Sequence, residues 1–370
     1  MSRLNRYVFR QLFWTALLVL ASLTCVIWLV QSLRFVEMIV NRGLSVAVFV
    51  WFTALLLPSF ISIILPIALF IAVMFTYNRL TADSELVVMR ATGMSQFHLA
   101  TPALVLACLA TLLGYALTLY ILPASYHEFK DTQFELRNKY TSVLLQEGVF
   151  NTLMRDVTVY VRSRESDGEL LGIIVHDGRV PDRSVTMMAE RGAMLEGPNG
   201  PRVLMMNGNR QEVMRTTGKL SLLYFDRYLF DVGAFSETKE ERWREPRERF
   251  LDDLFAPDGE ESTTFNYNKL RMEGHSRLAS PLLIFAATVV ALACLLTGEF
   301  NRRGQLRRMV IATLVLVGME AAGLVIKSAG EKYPAVIPLL YADALIPILF
   351  AGLALLTTGA WRRRAQPAPA

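Results

Sequence analysis

The sequence predicts an α-helical integral membrane protein with six transmembrane helices and an all-β, jelly-roll-like domain inserted between the third and fourth. Three observations carry this. Apolar runs of transmembrane length occur in two groups of three. Charge is concentrated between and around them, and across residues 124–277 the hydrophobic period changes from helical to alternating. With 53% hydrophobic and 19% charged residues in 370, this distribution argues against a string of ordinary soluble domains.

The first run, 11–33, is uncharged. Ahead of it Arg3, Arg6 and Arg10 recur at helical spacing, with Leu4, Tyr7, Val8 and Leu12 on the other side. That pattern suits an interfacial helix lying in the headgroup layer before the chain turns into the membrane. No small-residue cleavage site follows, so the run reads as the first transmembrane helix rather than a signal peptide. The second run, 46–77, exceeds what a bilayer requires and contains Pro58 and Pro66; tilt, a proline kink or an interfacial start would each absorb the excess. The third run is 97–122, with Pro123 at its end, and three more follow at 281–296, 309–326 and 336–360. The expected organisation is an N-terminal membrane half over 1–123, the inserted domain with a charged linker over 124–277, and a C-terminal membrane half over 278–370.

Between the second and third runs lies a polar segment, 79–95 (RLTADSELVVMRATGMS). Leu86, Val87 and Met89 have helical spacing, Asp83 or Ser84 can cap the start, and Gly93 can end it. A helix this short, at about 80–95, has little to bury against its own chain and suits docking on another protein.

Basic residues set the orientation. The N-terminal segment, 79–95, the 301–308 loop (NRRGQLRR) and the tail at Arg362–Arg364 hold twelve arginines, whereas the alternate loops hold only Arg34, Arg42, Lys327 and Lys332. Both termini and 79–95 are therefore expected in the cytoplasm, with the inserted domain on the far side. Trp361 falls at the inner interface.

Within the inserted domain Val157, Val159 and Val161 alternate with Thr158, Tyr160 and Arg162, a half-buried strand. Further strands are expected at 170–176, 185–189, 194–196, 203–206, 211–214 and 220–230, with a hairpin at Gly197-Pro198-Asn199-Gly200. Seven or eight short strands with regular turns favour a sandwich or jelly roll. The charged stretch 237–249 (ETKEERWREPRER) is too polar for a core and is expected to be exposed.

No catalytic constellation is present. Cys25, Cys108 and Cys294 all fall in apolar runs, and His98, His127, His176 and His275 form no ligand spacing. The sequence has no phosphate-binding loop, since Gly218-Lys219 is followed by Leu220, and it has no G-x-S-x-G, H-E-x-x-H or C-x-x-C. Any energy for work must enter through a partner, and 79–95, which joins two spans, is the natural point of entry.

The residues resemble the LptF/LptG (YjgP/YjgQ) permeases of lipopolysaccharide export, in detail more LptF than LptG. The resemblance rests on Arg6-Tyr7, on Arg79-Leu80, on Asp83-Ser84-Glu85 and on Ala91-Thr92-Gly93-Met94-Ser95. Arg271, Glu273 and Arg277 before the fourth span, together with the six-span topology, complete it. It implies a permease subunit of an ATP-driven transporter in the Gram-negative inner membrane, extracting lipopolysaccharide toward the outer membrane. The implied partners are a paralogous LptG-like subunit, an LptB-like ATPase dimer, an LptC-like single-span protein, an LptA-like periplasmic bridge, lipopolysaccharide and membrane lipids, with no nucleic acid. The chain itself would carry no cofactor, ATP and magnesium being held by the ATPase.

By the same resemblance, 79–95 is the coupling helix, with Glu85 its key acidic contact and Asp83, Ser84, Arg90 and Gly93 around it. Arg34 and Lys327, at the outer ends of spans one and five, match basic residues of a lateral gate that meet substrate phosphates. Gln31 departs from the lysine the family can carry there. Glu320 and Asp343 lie inside apolar runs, about 10 Å below the outer interface at the helical rise. Intramembrane acids face the protein interior or a wet cavity. A permease for another lipid or lipoprotein, or a membrane sensor with an outer ligand-binding domain, stands as the alternative.

Overall fold

The structure is a computed structural model that describes residues 3–42, 46–141, 147–154, 156–165, 169–180, 182–197, 200–214, 217–231, 243–256, 264–297 and 302–364. Helix α1 (Arg3–Arg42) is unbroken. No Gly or Pro interrupts it, so residues 3–12 continue straight into the span instead of forming a separate interfacial helix. The run expected at 46–77 is two helices, α2 (Val46–Ala54) and α3 (Leu57–Ala82). Pro58 sits in the first turn of α3, where a missing N–H costs nothing. After α4 (Glu85–Ala91), α5 (Gln96–Ala116) passes through a π turn at Leu117–Ile121 into α6 (Leu122–Thr141). The Leu122 N–H donates to the Leu117 carbonyl, five residues back, and this local change of register carries the helix past Pro123. Then follow α7 (Leu251–Phe255), α8 (Thr264–Leu296), α9 (Arg302–Gly330) and α10 (Pro338–Arg364). Among the described residues six helical stretches are long and apolar enough to cross a membrane, with mean hydropathy between 2.2 and 2.5.

The chain forms two compact units. The first comprises Met1–Val36, Val46–Phe129 and Arg244–Ala370. Helix α8 is its centre, packed by α3, α5, α9 and α10. Small residues let these backbones approach: Ala100, Ala103 and Ala107 on α5 and Ala287 and Ala291 on α8 are fully buried. Tyr77 on α3 is also buried, and its hydroxyl donates to the Leu99 carbonyl on α5 at 2.6 Å.

The second unit comprises Glu37–Ser45 and Lys130–Trp243. Its strands, β1 (Phe150–Met154), β2 (Val157–Arg164), β3 (Leu170–Val180), β4 (Arg183–Gly197), β5 (Gly200–Met214) and β6 (Leu220–Asp231), form one antiparallel sheet in sequential order. The all-β insert is thus a meander of six strands, fewer and longer than the seven or eight short ones expected. Several short apolar patches belong to single long strands; those at 203–206 and 211–214 are both β5. The hairpin at 197–200 is present, with Gly197 paired to Gly200. Alternation works as expected: Val157, Val159 and Val161 are buried, and Val159 and Val161 share a core with Ile173, Val175, Met187, Val203 and Met205.

The stretch expected as an exposed linker is corrected in its described part. Pro246, Glu248 and Arg249 are buried; residues 237–242 lie outside the described residues. Burial of these charges is tolerated because they are bonded. Glu248 accepts from the Glu245 N–H at 3.0 Å in a reciprocal capping box, and the Arg249 Nε donates to the Arg244 carbonyl at 3.1 Å.

On β3 the Arg179 guanidinium donates to both carboxylate oxygens of Asp177, with Nε at 2.8 Å from Oδ1. That hydrogen bond holds the Asp177 carboxyl below its ordinary value. A carboxyl depressed in the folded state stabilises above its unfolded-state range, near pH 4, and the stabilisation is lost as pH falls through the lower folded-state value. A pH series of thermal unfolding on Asp177→Asn should therefore show less loss of sheet stability on the acid side than the unaltered protein.

Candidate functional site

The segment between α3 and α5 is held more tightly than its sequence suggests. Leu86 and Met89 of α4 are buried in the main helical core, in one cluster with Val8, Leu12, Tyr77, Leu80, Leu99 and Leu296. The Arg90 Nη2 donates to the Leu296 carbonyl at the end of α8, at 2.9 Å, and the Tyr7 hydroxyl of α1 donates to Glu85 Oε1 at 3.3 Å. The expectation that this helix has little to bury against its own chain is therefore corrected: one face is anchored, and Val87 and Val88 remain exposed. Burying Leu86 and Met89 contributes about 1.5–3 kcal/mol each. The exposed bond to Glu85 contributes about 0.5–1.5 kcal/mol. The apolar pair contributes the larger part of what holds the helix, and the Glu85 contact the smaller.

The ends of α4 are set by backbone geometry. Ser84 occupies the N-cap position at φ 60°, and its side chain makes no capping bond there. The Asp83 carboxylate lies instead 3.5 Å from Arg79 Nε. Neither residue caps the helix in the way expected. The left-handed turn at Ser84 directs its side chain away from the N–H groups a cap would satisfy. Gly93 ends the helix as expected, at φ +84°, with its N–H donating to the Arg90 carbonyl at 3.0 Å. Ser95 then accepts from the His98 N–H at 3.2 Å and opens α5.

At the opposite end of the helical unit, Lys327 of α9 places its ammonium 2.7 Å from Glu273 Oε2, while Arg277 Nε reaches the other oxygen at 3.2 Å. Arg277 also donates to the Arg249 and Pro246 carbonyls at 2.7 and 2.8 Å. A single carboxylate on α8 thus holds two cations, and one of these ties down the chain before α7. The Arg34 side chain lies outside the described residues, and only its helical backbone in α1 is seen.

The family model described as "Lipopolysaccharide export system permease LptF/LptG" matches residues 6–359. This chain belongs to that family. It is also 27% identical over 331 residues to the "Uncharacterized protein RP871" of Rickettsia prowazekii, covering 89% of this chain and 91% of that protein. As an LptF/LptG permease it is a non-catalytic transmembrane subunit of lipopolysaccharide export.

The permease carries two further acids within its spans. Glu320 on α9 and Asp343 on α10 sit on packed helices, both half-buried. The Asp343 carboxylate lies over Gly323, one turn from Glu320, 3.6 Å from where a Cβ would stand. Glu320 Oε1 is buried without a hydrogen-bond partner among the described residues.

Sequence reasoning missed the polar ties between α8 and its neighbours. His275 Nδ1 lies 3.0 Å from the Tyr341 hydroxyl of α10, and the Tyr115 hydroxyl of α5 donates to the Leu278 carbonyl at 3.0 Å. Glu273 and Arg277 did carry a signal, an i,i+4 acid–base pair leading into an apolar run. Nothing in the sequence pointed to Lys327 as their partner.

Removing Glu273 takes the counter-charge from the buried Arg277 and the partly exposed Lys327. Glu273→Leu should lower stability by about 3–5 kcal/mol in thermal unfolding of the detergent-solubilised protein. Adding Lys327→Leu should restore part of that loss.

Proposed function

We propose that this permease is the LptF-like member of a heterodimer with an LptG-like subunit and takes its energy from an LptB-like ATPase docked on α4. The anchored face of α4 carries this reading. Leu86 and Met89 join the helix to the membrane core, while Val87, Val88 and the Glu85 carboxylate remain for a partner. A helix so fastened moves with α3 and α5, so closure of an ATPase dimer beneath it becomes displacement of spans. The excess of arginine on the 79–95 side supports a cytoplasmic location for α4 and both termini, with the sheet in the periplasm.

Substrate enters between α1 and α9 in this reading. Both helices leave long apolar stretches exposed, among them Leu18, Val26, Leu29 and Leu33 on α1 and Leu314, Val317 and Leu324 on α9, a surface for acyl chains and the second subunit. Arg34 and Lys327 meet lipid phosphates at the outer end. An ammonium has three donors. Glu273 can hold Lys327 in place and leave donors for a phosphate. Lipid then passes to the sheet. Its edge strand β6 exposes Leu220, Leu222, Leu223 and Tyr224 and offers an open edge for strands of an LptC-like or LptA-like partner.

Glu85→Ala tests the coupling role. The variant should fold and insert normally, because the apolar anchors remain. It should recover about 5–150-fold less ATPase on co-purification, the equivalent of about 1–3 kcal/mol for a desolvated charged contact. Undiminished ATPase recovery together with normal lipopolysaccharide release would overturn the assignment.

A further inference from the structure

A cleft of about 650 Å³ opens between the first turns of α1 and the last turns of α3. Four of its ten lining residues are arginines, Arg3, Arg6, Arg10 and Arg79, and none is acidic. Arg3, Arg6 and Arg10 have no carboxylate partner among the described residues, and Arg79 has only the exposed pair with Asp83 at 3.5 Å. An exposed pair of this kind contributes little and leaves most of the guanidinium donors available.

The lining changes character with depth. Below the arginines lie Trp14 and Phe75, both more than half exposed. From Arg3 to Trp14 the helical rise amounts to about 16 Å, roughly a headgroup layer plus the upper part of an acyl chain. Thr76 also lines the cleft; it is 2% exposed, and its Oγ1 has no hydrogen-bond partner among the described residues. A buried hydroxyl without a partner costs about 1–3 kcal/mol, which a ligand acceptor would relieve.

We propose that this cleft binds an anionic phospholipid. Its phosphate sits among Arg6, Arg10 and Arg79, an ester or phosphate oxygen accepts from Thr76, and its chain lies along Trp14 and Phe75. Crowded guanidiniums call for an anion, and the apolar floor on membrane-spanning helices calls for a tail. A protein segment would have to supply both in the same order. A basic pocket between transmembrane helices at a membrane face has the chemistry of an anionic-lipid site. Such a site is distinct from the outer-end cations Arg34 and Lys327. Its occupant would also touch Tyr7, whose hydroxyl holds Glu85, so the lipid would abut the seat of α4.

Native mass spectrometry of the full-length protein tests this, with phosphatidylglycerol and phosphatidylethanolamine of matched chains as probes. The unaltered protein should retain one phosphatidylglycerol against excess phosphatidylethanolamine, and millimolar inorganic phosphate should not displace it. The double variant Arg6→Gln/Arg10→Gln should retain about tenfold less or lower still. Arg307→Gln, an exposed arginine on α9, should not change retention. Thr76→Val keeps the side-chain shape and should weaken retention severalfold, which decides the matter if the double variant fails to fold. Equal retention of the two lipids, displacement by phosphate, or unchanged retention in both cleft variants would overturn the proposal. So would loss of the lipid whenever the paralogous subunit or the ATPase is present, since a protein would then be the occupant.

Discussion

The seat of Leu86 and Met89 in the helical core is the contact on which the rest of this permease depends. Without it, the polar segment between α3 and α5 would be a tether, and force applied there would be spent in bending the chain. With it, α4 becomes a short crossbar between two spans. The Tyr77 bond to the Leu99 carbonyl joins α3 to α5 beside the crossbar, and the Arg90 bond to the Leu296 carbonyl joins it to the end of α8. Since α8 packs against α3, α5, α9 and α10, displacement at α4 reaches most of the bundle through direct contacts. Interiors packed this closely transmit strain instead of absorbing it.

A second constraint governs charge. The described buried charges of the helical unit are mostly matched: Glu273 with Lys327 and Arg277, Glu248 with a backbone N–H, and Arg249 with a carbonyl. Pairing of this kind fixes geometry more than it adds stability, because desolvation offsets most of the attraction. Glu320 departs from the rule, with a buried oxygen that has no hydrogen-bond partner among the described residues. The arginines of the α1–α3 cleft are exposed, and among the described residues only Arg79 has a carboxylate partner, Asp83.

Much of this was legible in the sequence, for definite reasons. Spans show because lipid demands long apolar helices, and β2 shows because one face of its sheet is buried, which imposes alternation on Val157, Val159 and Val161. Gly93 showed as a helix end because a left-handed residue favours glycine. What escaped was tertiary. The burial of Leu86 and Met89 depends on Val8 and Leu12 from far along the chain, and apolar spacing in seven residues does not name a partner. Glu248 and Arg249 read as linker because composition does not reveal a capping box or a carbonyl within reach. Ser84 looked like a cap because residue preference carries no information on φ. Helix α1 continues where a turn was expected because an amphipathic beginning alone does not break a helix; only Gly, Pro or a competing bond would.

The central claim is that α4 belongs mechanically to the membrane core. Hydrogen–deuterium exchange of the full-length protein in detergent, followed at peptides covering 85–91, tests it most directly. Amides of α4 should exchange slowly, on the scale of the adjacent turns of α3 and α5, since local opening must expose Leu86 and Met89. Exchange at the rate of an unstructured peptide would contradict the account, leaving the segment a flexible connector unable to pass on force.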